Sequence, residues 1–173
     1  MERFAAGMLP RALHGIQVGI ATVLSARLFE RLLAADVPAS FDAAPPFDPS
    51  RFERLSDDHP NLPPTIVAEI RAQFEAKQLH GTAQAEERRR VAASWPRLRE
   101  ELAAVAMPAR RIETALERAG CPTSPAAIGV GDDHAVHTLR VCRQIRNRYV
   151  GLDLMADLGV LDRWAEAVVR DGT

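Results

Sequence analysis

The segment from Ile16 to Leu33 constrains the fold more than any other part of the chain. Ile16, Ile20, Val23, Leu24, Leu28 and Leu32 recur at steps of three and four, the spacing that lines one face of an α-helix. The predicted helix runs from about Ala12 to Ala35. At about 1.5 Å per residue it spans roughly 36 Å, enough to be the central element of a small domain. Gln17, Arg27, Glu30 and Arg31 interrupt the apolar run, and charges of this kind make a membrane span costly. Gly15, Gly19, Ala21 and Ala26 are small enough to let a neighbouring backbone approach.

The rest of the chain repeats this helical character. Alanine, leucine, arginine and glutamate dominate, and all favour helix. No alternating run of β-branched and aromatic residues suggests a strand. Pro38 is expected to stop the first helix, and VPASFDAAPPFDP (37–49) reads as an irregular connection pinned by Phe41 and Phe47. A short helix is expected from Ser50 to Leu55, then a break over 57–64. The next is expected from about Thr65 to Gln78, with Ile66, Val67, Ile70 and Phe74 on one face. Thr82 is placed to cap its successor. Pro96 should kink or restart that helix, with Leu98, Leu102 and Val105 continuing its apolar stripe. Pro108 and Gly120 bracket a helix over 109–119. Ser124 is placed to cap another. Asp132 or Asp133 caps one with the stripe Val136, Leu139, Cys142 and Ile145. Two last helices, near 152–158 and 161–169, are separated by Gly159. The expectation is one all-α domain over 1–173, a compact bundle of about seven to nine helices.

Composition removes several functional classes. The formal net charge is −1, which supplies no field to attract nucleic acid or an anionic membrane. Aromatic residues are 5% of the chain, too few for a base-stacking platform. Neither GxGxxG nor GxxxxGK[ST] occurs, so the chain carries no glycine-rich phosphate loop. GxSxG is absent too. Cys121 and Cys142 form no disulfide framework or CxxC site, and reduced, buried thiols in a cytoplasmic protein are the expectation. The N-terminus does not have the form of a secretory signal.

Among the candidate residues, His14 opens the long helix beside Gly15. The helix N-terminus there favours an anionic group, and Gly15 leaves space for a ligand. Gln17, one turn on, could reach a substrate hydroxyl. A lone histidine holds no catalytic metal, because such sites need about three or four ligands. His134 and His137 are a ligand-like pair three residues apart, with a solvated first turn as the plainer reading. His59 and His80 read as surface residues. Arg88, Arg89 and Arg90 read as a salt-bridged, solvated helix face rather than a nucleic-acid patch. Arg146 and Arg148 either contact a phosphate or pair with Asp153 and Asp157.

Three segments carry a family resemblance. Leu13-His14-Gly15-Ile16-Gln17-Val18-Gly19-Ile20-Ala21-Thr22, Ala119-Gly120-Cys121-Pro122-Thr123-Ser124, and Ile145-Arg146-Asn147-Arg148-Tyr149-Val150-Gly151-Leu152-Asp153-Leu154 resemble, in order and spacing, the metal-dependent dehydrogenases that include glycerol dehydrogenase. The match is closer to the sn-glycerol-1-phosphate dehydrogenase branch. It spans nearly the whole chain but covers only that family's C-terminal helical domain.

The resemblance implies a helical domain that works beside a nucleotide-binding domain. A divalent metal (zinc, nickel or iron) is then held by an aspartate and two histidines, and it polarises the carbonyl that receives hydride from NAD(P)H. His14 matches the last of the three ligands. The other two fall upstream in the family pattern and have no matching positions here. Met1-Glu2-Arg3-Phe4 resembles the continuation of the helix that carries the earlier histidine. The expectation is therefore the C-terminal part of an enzyme that reduces glycerone phosphate to sn-glycerol-1-phosphate, inactive by itself and binding neither metal nor NAD(P) alone. Its partner would be a separately encoded nucleotide-binding domain. The alternative is a non-catalytic helical module, derived from that family, that self-associates or docks on another protein.

Overall fold

The computed structural model describes residues 12–170, and within them every regular element is helical. The residues 1–4, compared above with a family helix, lie outside the described part. Nine α-helices are present among the described residues: α1 (His14–Ala34), α2 (Val37–Ala43), α3 (Leu55–Asp58), α4 (Pro64–Glu75), α5 (Gly81–Val105), α6 (Ala109–Arg118), α7 (Asp132–Val141), α8 (Gly151–Asp157) and α9 (Leu161–Arg170). Short 3-10 turns follow at Pro49–Phe52, Ala126–Ile128 and Cys142–Ile145. The all-helical class is thus established. No helix among the described residues is long and apolar enough to cross a membrane.

α1 is the central element. Its stripe Ile20, Val23, Leu24, Leu28 and Leu32 is at most 1% exposed. The main core gathers Ile20, Leu24, Leu28 and Leu32 of this stripe with Trp95 of α5, Val136 and Leu139 of α7, Met155 of α8, and Leu161, Trp164, Ala165 and Val168 of α9. Burial of this apolar area is the chief stabilising contribution, about 25 cal/mol per Å². A smaller cluster lies apart from it. Leu55, Ile70 and Phe74 form its buried centre, with Phe47, Phe52, Leu62, Ile66, Val67 and Ile145 around them. Phe47, Phe52 and Phe74 meet in tilted and edge-on ring contacts with centroids 5.2–6.1 Å apart.

α1 and α6 pack antiparallel. Glu30 accepts the Ala109 N–H at 2.9 Å, Arg27 pairs with Glu113, and a Cβ on Gly19 would lie 3.2 Å from Leu116. Arg27 also donates to the Val168 carbonyl at 3.1 Å, tying in α9. α6 ends in a Schellman motif. Cys121 N–H reaches Leu116 O and Gly120 N–H reaches Glu117 O, both at 2.9 Å, with Gly120 at φ +70°. Only glycine adopts that left-handed conformation without steric cost.

Several local expectations are corrected. Pro38 does not act as a stop: α1 has already ended, and Pro38 sits in the first turn of α2, where its missing N–H has no helical partner to lose. Asp36 caps that helix by accepting the Ala39 N–H at 3.2 Å. Thr82 lies inside α5, whose N-cap is His80. Gly131 is the N-cap of α7, with Asp132 and Asp133 in its first turn. Helix α5 continues through Pro96, because Val91, Ala92, Trp95, Leu98 and Leu102 on both sides are packed on the main core. Val105 leaves that stripe and is 80% exposed. Ile145 leaves the α7 stripe for the smaller cluster, because the backbone tightens to 3-10 at Cys142.

Candidate functional site

His14 is the first residue of α1, and its ring is exposed and takes no part in the core. No acidic residue occupies that first turn. A Cβ on Gly15 would meet nothing within 4 Å, so the space beside His14 is open. Gln17 is half-buried, and its side-chain amide donates to the Ala12 carbonyl at 3.1 Å. Leu13 and Val18, on either side of these residues, are 76% and 48% exposed.

The antiparallel register of α1 and α6 connects two sequence segments that are about a hundred residues apart. Passing along α6 from Ala109 to Leu116 retraces α1 from Glu30 to Gly19. Helix α6 therefore runs towards the end of α1 that carries His14, and it ends in the Gly120 turn just after Leu116. The His14 end of α1 lies five residues beyond Gly19, about 7–8 Å at the helical rise. The third segment meets α1 elsewhere: a Cβ on Gly151 would lie 2.8 Å from Phe29 Cζ.

His14 can supply one imidazole to a metal. Among the described residues no group of three or more His, Cys, Asp or Glu side chains is placed to hold one. Of the histidine pair His134 and His137, the second is engaged by the backbone. His137 Nε2 donates to the Asp58 carbonyl at 2.8 Å. Burial, and then the adjacent His137, holds His134 below the ordinary histidine pKa.

A cleft of about 620 Å³ lies between the smaller cluster and the main body. Residues 45–58 form one wall; Arg88, Arg140, Arg143, Gln144 and the turn around Gly159 form the other. A buried polar network underlies it. His59, 2% exposed, donates through Nε2 to Gln144 Oε1 at 2.7 Å, and Gln144 Nε2 donates to Asp58 Oδ2 at 2.7 Å. Burial lowers the His59 pKa, against the opposing pull of Gln144 and Asp58.

Beside it, Asp153 receives Lys77 at 2.8 Å and Arg143 at 3.0 Å, with all three side chains 3% exposed. Asp153 also accepts the Val150 N–H at 2.9 Å and so caps α8. Lys77 donates in addition to the Arg143 carbonyl. Its pKa is lowered by burial, with Asp153 acting in the opposite direction. The Arg143 guanidinium lies 4.9 Å from the Phe74 ring centre, a cation–π contact.

These networks correct the sequence reading at four places. His59 is a buried residue, because it fastens the α3 segment to Gln144. Asp153 pairs with Lys77 and Arg143 rather than with Arg146 or Arg148, and Asp157 accepts from Tyr149 at 2.8 Å and Gln84 at 3.3 Å. Arg88 is no solvated rim residue: it donates to the carbonyls of Ala44, Pro45 and Asp157. Arg90, by contrast, pairs with Glu87 on the exposed face as expected. Cys142 is partly buried, and burial raises its thiol pKa, the state of an unreactive cysteine.

Comparison of the chain with protein-family models, curated proteins and solved structures finds no match.

Proposed function

We propose that this chain is the metal- and substrate-facing helical part of an NAD(P)-dependent dehydrogenase of the glycerol-1-phosphate type, inactive alone. The observation that carries the reading is the placement of His14. Of the residues in the first matching segment, Gly19 is explained by close packing and Ile20 by burial. The His14 ring is accessible at a helix start beside an open glycine. The second matching segment begins just after Leu116, which packs on Gly19 of the first, and this supports reading those two segments together.

A divalent metal in such an enzyme acts as a Lewis acid on the substrate carbonyl. This chain's part in the reading is a single neutral imidazole from His14. The positive end of the α1 backbone dipole favours an anionic substrate group beside it. Leu13 and Val18 then form part of the surface on which the nucleotide-binding half rests. Zinc, nickel or iron and NAD(P) belong to the assembled enzyme.

Complementation tests this. The chain is mixed with a separately produced nucleotide-binding half that carries the aspartate and the other histidine, and NAD(P)H-dependent reduction of glycerone phosphate is followed with added zinc or nickel. Activity in the mixture, absent from each half and lost with His14→Ala, is expected. Robust turnover by the chain alone would contradict the reading. So would complementation that His14→Ala leaves unchanged.

The exposure of Leu13 and Val18 also favours a second reading, a non-catalytic module that associates through this end of α1. Stable self-association that needs no metal and disappears in Val18→Glu would support the module over the split enzyme.

A further inference from the structure

We propose that the outward face of α6 docks an acidic helix of a partner protein, whose carboxylates are received by Arg110, Arg111 and Arg118. The inference needs neither metal nor nicotinamide and does not depend on the dehydrogenase reading.

Helix α6 divides its residues by face. Ala109 is buried, Ile112 and Leu116 are half-buried, and Leu116 is the side chain that a Cβ on Gly19 of α1 would meet. Glu113 is turned to Arg27 of α1. Arg110, Thr114 and Arg118 follow one another at steps of four, and Arg111 stands three before Thr114. Side chains three and four apart share one side of a helix. The arginines and Thr114 therefore form a row on the side that α1 leaves uncovered, and all three arginines are exposed.

None of the three makes an ion pair among the described residues. On α4 and α5, by contrast, Arg71 pairs with Glu75, Arg90 with Glu87 and Arg97 with Glu101, each within its own helix. That self-pairing is missing on α6. Glu113 is taken by Arg27, and Glu117, which borders the row, pairs with none of the three. Their guanidiniums are free to receive carboxylate oxygens two at a time. The chain's formal net charge is −1, so the attraction is local to this face and is not a field of the whole molecule.

The shape selects the partner. Arg110 and Arg118 are eight residues apart, about 12 Å along the helix. A second helix with acids at steps of four repeats that spacing and meets both ends of the row at once. A shallow concavity of about 490 Å³ lies between the arginines and is lined by residues of 108–118 alone. With one helix as its floor it lacks the walls that enclose a small molecule. Thr114 and Ala115, the short side chains between the arginines, leave a trough where another helix can lie. Just before Pro108, Val105 and Met107 are 80% and 50% exposed. They offer an apolar contact at one end of the row, and Met and Arg are both enriched where proteins meet.

Fluorescence anisotropy of a labelled, alanine-based helical peptide, with glutamate at every fourth residue and leucine at one end, follows its binding to the full chain at low ionic strength. Saturable binding that weakens with added salt is expected. Arg110→Glu with Arg118→Glu should weaken it about tenfold, and a peptide with lysine in place of glutamate should bind that double variant instead. Such an exchange also shows that the variant is folded. Arg163→Glu, an exposed change on α9, should leave binding as it was. A peptide of the same composition with its glutamates spread round the helix should bind more weakly. Absence of saturable binding, equal binding of the two acidic peptides, or a loss shared by Arg163→Glu would overturn the proposal. So would a double variant that binds the acidic peptide undiminished or that the lysine peptide fails to rescue. Capture by phosphatidylserine vesicles in place of the peptide, lost in the same double variant, would assign the face to a membrane and overturn it too.

Discussion

His59 Nε2 sits 2.7 Å from Gln144 Oε1, and this contact joins two parts of the chain 85 residues apart. The imidazole is buried, and burial holds its pKa below the ordinary histidine value. The unfolded chain therefore takes up a proton at His59 as pH falls through about 6.5, while the folded chain takes it up only at lower pH. Stability contributed by neutral His59 is present above that range and is lost as acid is added. The urea midpoint should fall between pH 7.5 and pH 5.5, and His59→Gln should flatten that fall. Some slope remains from His134, which burial shifts in the same direction. Equal slopes in the two proteins would rule out this assignment.

Asp153 compensates two buried cations at once. Asp153→Asn keeps the shape and removes the charge, leaving Lys77 and Arg143 facing a neutral amide. Breaking a buried pair in this way costs about 3–5 kcal/mol, as a loss of unfolding free energy in urea at pH 7. Lys77→Met in the Asp153→Asn background should restore part of it, since one of the stranded charges is then gone. A loss below about 1 kcal/mol would show that Asp153 contributes only the surface-type value.

Much of this architecture was legible in the sequence, and the failures have a common cause. The α1 stripe and the Pro108–Gly120 bracket rest on local rules, periodicity and capping, and both were read correctly. His59 was not, because Asp57-Asp58-His59-Pro60 has the composition of a solvated loop. Its burial is decided by Gln144, which no local pattern connects to it. Asp153 failed likewise: Arg146 and Arg148 are near in sequence, yet Lys77, just beyond the end of α4, reaches it. Arg88, Arg140 and Arg143 of the cleft wall lie on α5, on α7 and in the 3-10 turn after it, so only the tertiary fold assembles them. The exposure of His14 agrees with the sequence reading, but its ligand role rests on the resemblance and awaits complementation.

Gly15 separates stability from function. It lies in the first turn of α1 with open space around its Cα. Gly15→Ala should stabilise the chain by about 0.5–1 kcal/mol through helix propensity and unfolded-state entropy. If the space beside His14 receives substrate, the same change lowers complemented activity while the melting temperature rises. A rise in both would place the ligand elsewhere.

Gly120 is held by its backbone angle rather than by crowding. A Cβ there would meet nothing within 4 Å, but φ is +70°. Gly120→Ala should cost about 1 kcal/mol, whereas Gly120→Asn should cost less, because asparagine tolerates this conformation better. Thermal unfolding of the two variants decides it. An alanine variant as stable as the parent would mean that the α6 turn refolds differently.

At Gly151 the constraint is the reverse: the ring of Phe29 fills the volume that a methyl group would need. The two positions are a matched large–small couple across the α1–α8 contact. Homologous proteins that carry alanine or serine at the second position should carry a trimmed side chain at the first. Such paired exchange would be a record, kept in descendants, of how closely these two helices are seated.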